Sequence, residues 1–549
     1  MLICGVKVSH DGGVAVVQDG RLLFSVETEK IGNGLRYSTL GDLERIGEIL
    51  AAHGIPLAEV DQFVFDGWWD EAATGRPSIA TRWRGRPQVA PVAGYVHSGR
   101  GSTPMDRHVL RVDGFDYSSY YHATGHVMAA YATSPFARRG EDALVLVWDG
   151  GITPRLYQVS PRDLAVRPLG SLLPAIGNVF PHLCGPLEPF RIPAAVVAAD
   201  EPRQRQHLEI SGKAMAYAAL GTVREDAFGV LDSLIAENPP ITDQACVELS
   251  EKLTAARTER LPGLTDADLI ATLQSYLGTR LLDTLAAFVR RRFPGSPPNL
   301  CLGGGCALNI KWNSAIRASG LFADVWVPPF PNDAGAAIGA AACEAFARDR
   351  STALEWNVFQ GPMLGGATPS WPARPCSPAG VAEILHGEGE PVVVLDGRAE
   401  LGPRALGNRS ILAPAVSAAM KTRLNEMKGR AAYRPVAPIC LASRSAEVFD
   451  PGGADPYMLF EHRPRPGWAE RIPAVLHLDG TARLQTVDDD ADTAAVRILR
   501  EYERRSGIPV LCNTSANLNG HGFFADAATA AEWGRTRYVW SDGILYTAP

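Results

Sequence analysis

Three scarcities narrow what this chain can be. No apolar run approaches the ~20 residues that a bilayer-spanning helix requires, which argues against a membrane protein. The nine cysteines are scattered, odd in number and include no Cys-x-x-Cys pair, which argues against a disulfide framework. Positive charge is also short: 53 Lys and Arg face 60 Asp and Glu, for a net charge of −7. A chain so balanced has no basic stripe to neutralise phosphates, so a nucleic-acid partner is not expected. The opening residues, Met1 to Gly5, lack the basic segment of a secretory signal. Together these absences lead us to expect a cytoplasmic protein. Of the 549 residues, 46% are hydrophobic and 21% charged, a composition that folds. At ~100–200 residues per domain, the length allows about three to four folding units, or fewer large ones.

The first residues read as three strands: Leu2 to Val8, Gly13 to Val17 and Arg21 to Val26. Asp19-Gly20 between the second and third is a two-residue hairpin signal, and Ser9-His10-Asp11-Gly12-Gly13 is a polar turn. The design recurs roughly 140 residues later. Ala143 to Val147 is followed by Trp148-Asp149-Gly150-Gly151, then by strand candidates Arg155 to Val159 and Ala165 to Leu169. Such a repeat predicts two similar α/β halves whose turns face a common cleft. Helical periodicity marks Leu40 to Ala52, Ser118 to Ala132, Thr265 to Arg291 and Asp333 to Arg348. A Pro-, Gly- and Ser-rich stretch from Gly361 to Gly380 predicts a boundary, dividing the chain into domains 1–360 and 361–549.

His122 and His126 lie four residues apart, which puts both imidazoles on one helix face and suits two ligands of one metal. The alternative is a pair of hydrogen-bonding histidines. Asp149, at the end of a repeated strand, and Asp333, at a helix start, would complete a site for Fe(II), Mn(II) or Zn(II); Asp333 could equally be a plain N-cap. His10, in the first turn, could act as a general base or simply bond the backbone. Gly303-Gly304-Gly305, ahead of Asn309, lets backbone approach a ligand or makes a tight turn. Arg398, Arg404 and Arg409 share a Gly/Pro-containing loop, and Lys421, Arg423, Lys428, Arg430 and Arg434 follow. That density suits phosphate recognition, as do the hydroxyls and amides of Asn513-Thr514-Ser515-Ala516-Asn517 after a strand at Ile508 to Cys512.

With these segments in view, the chain resembles the bacterial O-carbamoyltransferases of secondary metabolism, which include nodulation, tobramycin, cephem, novobiocin and ansamycin carbamoyltransferases. The resemblance runs through His10-Asp11-Gly12, the His122/His126 helix, Gly212-Lys213, Gly303 to Asn309, Asn332-Asp333-Ala334-Gly335 and Gly402-Pro403-Arg404-Ala405-Leu406-Gly407-Asn408-Arg409-Ser410. It continues through Arg434 to Pro438, Asp479 to Arg483 and Asn513-Thr514-Ser515.

The resemblance implies an α/β fold: a duplicated actin-like (ASKHA) N-terminal domain and a smaller YrdC-like C-terminal domain. It implies that carbamoyl phosphate and ATP, with Mg(II), form carbamoyl-AMP in the C-terminal domain. A metal-assisted step, with Fe(II) as the expected ion, then carries the carbamoyl group to a small-molecule hydroxyl of an antibiotic-type natural product. His122, His126, Asp149 and Asp333 match the family's metal ligands and His10 its essential histidine, while Lys213 would add positive charge. Gly303, Gly304, Gly305 and Asn309 would cradle the adenylate; Arg404, Arg409, Arg434, Asn513, Thr514 and Ser515 would hold carbamoyl phosphate and ATP. Glu27-Thr28-Glu29-Lys30 with Arg36-Tyr37 looks more like the cephem and ansamycin members than the nodulation type. Loops around 68–110 and 170–210, with Trp68, Trp69 and Trp83, are expected to shape the acceptor pocket. The competing readings are an actin-like kinase or ATPase, which would release ADP, and a non-catalytic nucleotide-binding protein.

Overall fold

In this computed structural model, which describes residues 1–71, 75–98, 101–191 and 200–549, the repeated apolar runs become two sheets of one design. In the first, β1 (Leu2–Lys7), β2 (Gly13–Gln18), β3 (Arg21–Glu27), β4 (Gln62–Asp66), β5 (His108–Val112) and β6 (Phe115–Tyr120) lie in the order β3-β2-β1-β4-β6-β5. In the second, β7 (Ala143–Val147), β8 (Arg155–Ser160), β9 (Ala165–Ser171), β10 (Leu300–Gly303) and β11 (Val325–Trp326) lie in the order β9-β8-β7-β10-β11. Each central strand, β1 or β7, is antiparallel to the strand after it and parallel to the next neighbour, β4 or β10. These central strands are buried on both faces, which is why they read as continuous apolar runs rather than alternating ones.

The helices that matter for the site are α1 (Glu44–Ala52), α2 (His122–Ala132), α3 (Asp200–Tyr217), α4 (Asp266–Arg292), α5 (Ile310–Ala318) and α6 (Ala336–Glu344). A capping box of Thr265 with Asp268 starts α4, with Asp in place of the usual Glu or Gln. One expectation needs correction. Residues Ser118–Tyr120 are strand, not helix, because they pair in parallel with Val64–Asp66, and the helix begins only at His122. A strand partner outweighs local periodicity here. Helix α6 crosses α2 almost backbone to backbone: a Cβ at Gly339 would stand 2.1 Å from the Gly125 carbonyl oxygen. Gly339→Ala is therefore expected to destabilise the fold by roughly 3 kcal/mol or more, read as a lower Tm in thermal unfolding.

The chain forms two compact units, Met1–Leu23 with Thr39–Trp356, and Phe24–Ser38 with Asn357–Pro549. The second unit thus takes a short segment from the N-terminal part of the sequence. Its sheet contains β12 (Ala373–Pro375), β13 (Val392–Leu395), β14 (Arg409–Pro414), β15 (Ala437–Leu441), β16 (Gln485–Val487), β17 (Val510–Ser515), β18 (Tyr538–Ser541) and β19 (Ile544–Thr547). They run in the order β12-β19-β18-β13-β14-β17-β15-β16 with mixed pairing. Helices α7 (Ala418–Met427) and α8 (Ala494–Ser506) belong to this unit, and α8 buries Val496, Ile498, Leu499 and Tyr502 in its core. The molecule is thus α/β with mixed sheets. Among the described residues no helix is long and apolar enough to cross a membrane.

Candidate active site

Within the first unit, segments far apart in sequence end at one place. Strand β1 ends in Lys7, with His10 in the turn beyond; β4 ends in Asp66; α2 carries His122 and His126; Asp149 follows β7; Asp333 opens the helical segment leading into α6. Parallel pairing of β1 with β4 and of β7 with β10 puts Lys7, Asp66 and Asp149 at carboxyl ends of strands, where open α/β sheets form their ligand crevices.

His122 and His126 present their Nε2 atoms 3.1 Å apart. Asp333 Oδ1 lies 3.4 and 3.2 Å from these two nitrogens, and Asp149 Oδ2 lies 3.7 and 3.9 Å from them. All four side chains are buried, and their ligand atoms lie within 4.8 Å of one another. Bonds of about 2.0–2.2 Å to a common cation would separate its ligand atoms by about 3–4 Å. The observed separations fit, and two imidazoles with two carboxylates suit Fe(II), Mn(II) or Zn(II).

The groups behind the ligands serve the same end. His122 Nδ1–H donates to Asp66 Oδ2 at 2.7 Å, which orients the ring and turns Nε2 toward the cluster. Asp149 accepts the Gly305 N–H at Oδ1 (2.6 Å) and the Tyr95 hydroxyl at Oδ2 (2.9 Å). Lys7, only 1% exposed, lies 2.8 Å from both Asp66 Oδ2 and Asp333 Oδ2. Converging acceptor atoms attract positive charge. Burial opposes charge on the His122 imidazole, but Asp66 chiefly, with Asp333, holds it well above its ordinary value; a bound cation displaces that proton. Burial likewise opposes the Asp333 carboxylate, yet Lys7, His122 and His10 hold it well below the usual range.

His10 stands beside this cluster, 18% exposed, with Nδ1 2.8 Å from Asp11 Oδ2 and Nε2 3.7 Å from Asp333 Oδ2. With Nδ1–H donated to Asp11, Nε2 is the atom that can accept a proton. Trp68 meets the rings of His10, Tyr95 and His122 edge-on. Trp69 is 45% exposed and stacks on Tyr95 at 3.8 Å, and Tyr95 in turn stacks on His122 at 4.4 Å. Trp83 packs against Phe115 instead. Within the loops expected to shape the acceptor pocket, residues 72–74, 99–100 and 192–199 lie outside the described residues.

Other expected residues fall elsewhere. Gly304, at φ +83, would with a Cβ meet the Trp148 carbonyl oxygen at 2.3 Å; this close passage brings the Gly305 N–H to Asp149. Asn309 exchanges side-chain hydrogen bonds with Gln274 and caps α5 at the Trp312 N–H. Lys213 pairs with Glu209 one turn away on α3. The Asn309 and Lys213 contacts are to these neighbours and not to the four-residue cluster.

The second unit holds a different chemistry. Arg404 is depressed well below its ordinary value by burial and then by the like charges of Arg483, Arg36 and Arg434. Burial and like charge also act on Lys428, on Arg430 (pushed down to about 9) and on Arg483 (to about 10). Guanidinium keeps its proton in proteins, so burial and mutual repulsion together make this a place that favours an anion. Among the described residues, the buried Nε atoms of Arg404 and Arg483 have no acceptor. Lys428 and Arg430 bond carbonyl and amide oxygens of Ser515, Asn517, Asn425 and Pro435, not carboxylates. The loop carrying Arg404 is built around buried Glu400, whose Oε1 accepts the N–H groups of Leu406, Asn408 and Arg409. Lys30 bonds the Glu400 and Gly402 carbonyls and Glu27.

Arg409 is 2% exposed, and its guanidinium bonds the carbonyls of Asp396, Gly397 and Asn408, so it builds the loop. Asn513 donates to Ala405 O and Gln485 Oε1, Ser515 to Asn517, and Thr514 is buried in β17. Arg434 contributes to the crowded charge around Arg404.

Sequence reasoning overlooked Lys7, Asp11, Asp66 and Tyr95 as parts of the site. A signal existed for two of them: Lys7 and Asp66 each end an apolar strand whose other residues are hydrophobic or glycine, or nearly so.

Comparison with known proteins adds the following. Residues 2–343 match a family model described as carbamoyltransferase N-terminus, and residues 382–539 one described as carbamoyltransferase C-terminus. Nodulation protein U of Rhizobium tropici is 46% identical over 100% of this chain and 96% of that protein. A 3'-hydroxymethylcephem-O-carbamoyltransferase of Streptomyces clavuligerus is 33% identical over 97% of this chain and 96% of that protein. The expected leaning toward cephem-type members, drawn from residues 27–37, is therefore reversed over the whole chain: a short segment weighs little against full-length identity.

Proposed function

The chain belongs to the carbamoyltransferase family and is an enzyme; from that premise we propose that it transfers a carbamoyl group, at the expense of ATP, to the hydroxyl of a small natural product. The observation that carries this reading is the buried cluster of His122, His126, Asp149 and Asp333 with the His10–Asp11 pair beside it. We read the first unit as an actin-like duplication, a reading the repeated sheet order supports, and the second as YrdC-like.

In this scheme the second unit makes the activated group. Carbamoyl phosphate, ATP and one water yield carbamoyl-AMP, pyrophosphate and phosphate, with Mg(II) accompanying ATP. Arg404, Lys428, Arg430, Arg434 and Arg483 bind the polyanions, whose charge offsets their mutual repulsion. In the first unit, carbamoyl-AMP meets the acceptor. A divalent cation, expected to be Fe(II), held by the four ligands would polarise the carbamoyl carbonyl as charge develops on its oxygen. His10 Nε2 takes the hydroxyl proton as the acceptor oxygen attacks the carbamoyl carbon; the C–O bond to AMP breaks, and AMP leaves with the electron pair. Asp11 orients the ring and stabilises the imidazolium. Asp66 holds His122, and Tyr95 and Gly305 hold Asp149. Trp68 and Trp69 supply an apolar wall for the acceptor.

The test is an acceptor screen read by mass, beginning with a 3'-hydroxymethylcephem because a relative is named for it. A product heavier by one carbamoyl group, with AMP as co-product, is expected. A panel in which ATP is consumed to ADP and no acceptor gains mass would contradict the proposal. His10→Ala is expected to lower transfer by about 10²–10⁴-fold while carbamoyl-AMP formation continues. An unchanged transfer rate would remove His10 from its role.

A further inference from the structure

Resting on the metal reading of the first unit, we infer that Lys7 fixes both the valence the centre accepts and the way Asp333 binds it. The side chain is fully enclosed: its ammonium lies 2.8 Å from Asp66 Oδ2, 2.8 Å from Asp333 Oδ2, and 4.2 Å from the centre of the Trp68 ring. The ammonium thus donates to Asp66 Oδ2, meets Asp333 Oδ2 as an ion pair and faces the Trp68 ring. Two consequences follow from this placement.

The first concerns denticity. Asp333 Oδ2 is turned to Lys7, so only Oδ1 faces the His122 and His126 nitrogens, at 3.4 and 3.2 Å. Asp333 would therefore offer a bound ion one oxygen rather than two.

The second concerns charge. Among the buried groups here, Asp66, Asp149 and Asp333 bring three negative charges and Lys7 one positive, a balance of minus two. A divalent cation cancels it. A trivalent ion would leave a buried charge uncompensated, which is costly in a medium of low dielectric. The half-buried His10–Asp11 pair lies beyond Asp333 and is common to all the variants below.

The experiment uses the full-length protein stripped of metal and reloaded with Co(II) or iron as probes, with no substrate. Lys7→Met is isosteric and removes the charge. It is expected to move the ferric-to-ferrous preference of bound iron at least about tenfold toward ferric, a fall in potential of about 59 mV for one electron. It is also expected to weaken the visible Co(II) absorption about twofold as Asp333 closes on the ion with both oxygens and raises the coordination number. The charge-balanced double variant Lys7→Met/Asp66→Asn keeps the test valid should the single variant fold poorly. Its iron potential should return to the wild-type value, because the balance is again minus two, while its Co(II) spectrum stays altered, because Asp333 Oδ2 is still released. Variants whose potential and spectrum both match wild type overturn the inference and leave the metal site standing. A wild-type protein that takes up neither ion overturns the inference and the metal reading together.

Discussion

Asp333→Asn is expected to lower carbamoyl transfer by about 10³-fold or more while the protein still makes carbamoyl-AMP at the wild-type rate. Asp333 faces both imidazole nitrogens through Oδ1 and Lys7 through Oδ2. Amide replacement therefore removes a charged ligand and leaves the buried Lys7, among the described residues, with Asp66 as its one carboxylate partner. Bound divalent metal, measured by elemental analysis after dialysis, should fall in parallel with transfer. The adenylating chemistry is assigned to the other unit, whose crowded cations share no residue with this cluster. A variant that loses metal yet transfers normally would refute a metal role in catalysis, and one that loses both half-reactions would refute the division of labour.

The second large effect has opposite signs in activity and stability. Arg404→Met should lower carbamoyl-AMP formation by about 10²–10³-fold, the scale of losing one charged donor to a reacting phosphate. The ligand-free protein should become more stable, because burial and the charges of Arg483, Arg36 and Arg434 all disfavour the Arg404 guanidinium. Relief of about 1 kcal/mol corresponds to a Tm rise of roughly 2–4 °C for a unit of this size. Wild-type protein should instead be stabilised by pyrophosphate or ATP, since a ligand bound only by the native state raises Tm by mass action, and the variant should respond less. Thermal unfolding with and without pyrophosphate reads both effects. Loss of activity with a lowered ligand-free Tm would mean that Arg404 is a structural residue.

Much of the fold was legible because the central strands are buried on both faces and carry little but apolar residues. The run Ala143 to Val147 coincides with β7, and the Asp-Gly turns repeat where the two sheets repeat. Segments decided by a partner rather than by their own pattern were harder to read. Ser118–Tyr120 continues a helical periodicity, yet pairs with β4. Phe24–Ser38 belongs with the second unit, where Lys30 braces the Glu400 loop, and no local feature of residues 24–38 announces a contact 370 residues away.

The site followed the same logic. His122 and His126 were visible from helical spacing, and Asp149 from the repeat; the structure brings them together with Asp333. Groups that act through a ligand left a fainter trace. Asp66 was signalled only as the acidic end of an apolar strand, and Tyr95 is defined by what it touches, Asp149 and His122, which pattern alone does not disclose. Arg409 shows the converse: an arginine in a basic loop reads as an anion ligand until its guanidinium is found closing on three backbone carbonyls.

The most direct test of two-step carbamoylation needs no acceptor. Wild-type protein incubated with ATP, carbamoyl phosphate, Mg(II) and Fe(II) is followed by pyrophosphate release and by mass for carbamoyl-AMP. The account predicts both products in equal amount, dependent on carbamoyl phosphate. Formation of ADP, without pyrophosphate or carbamoyl-AMP, would contradict it and favour a kinase-type reaction.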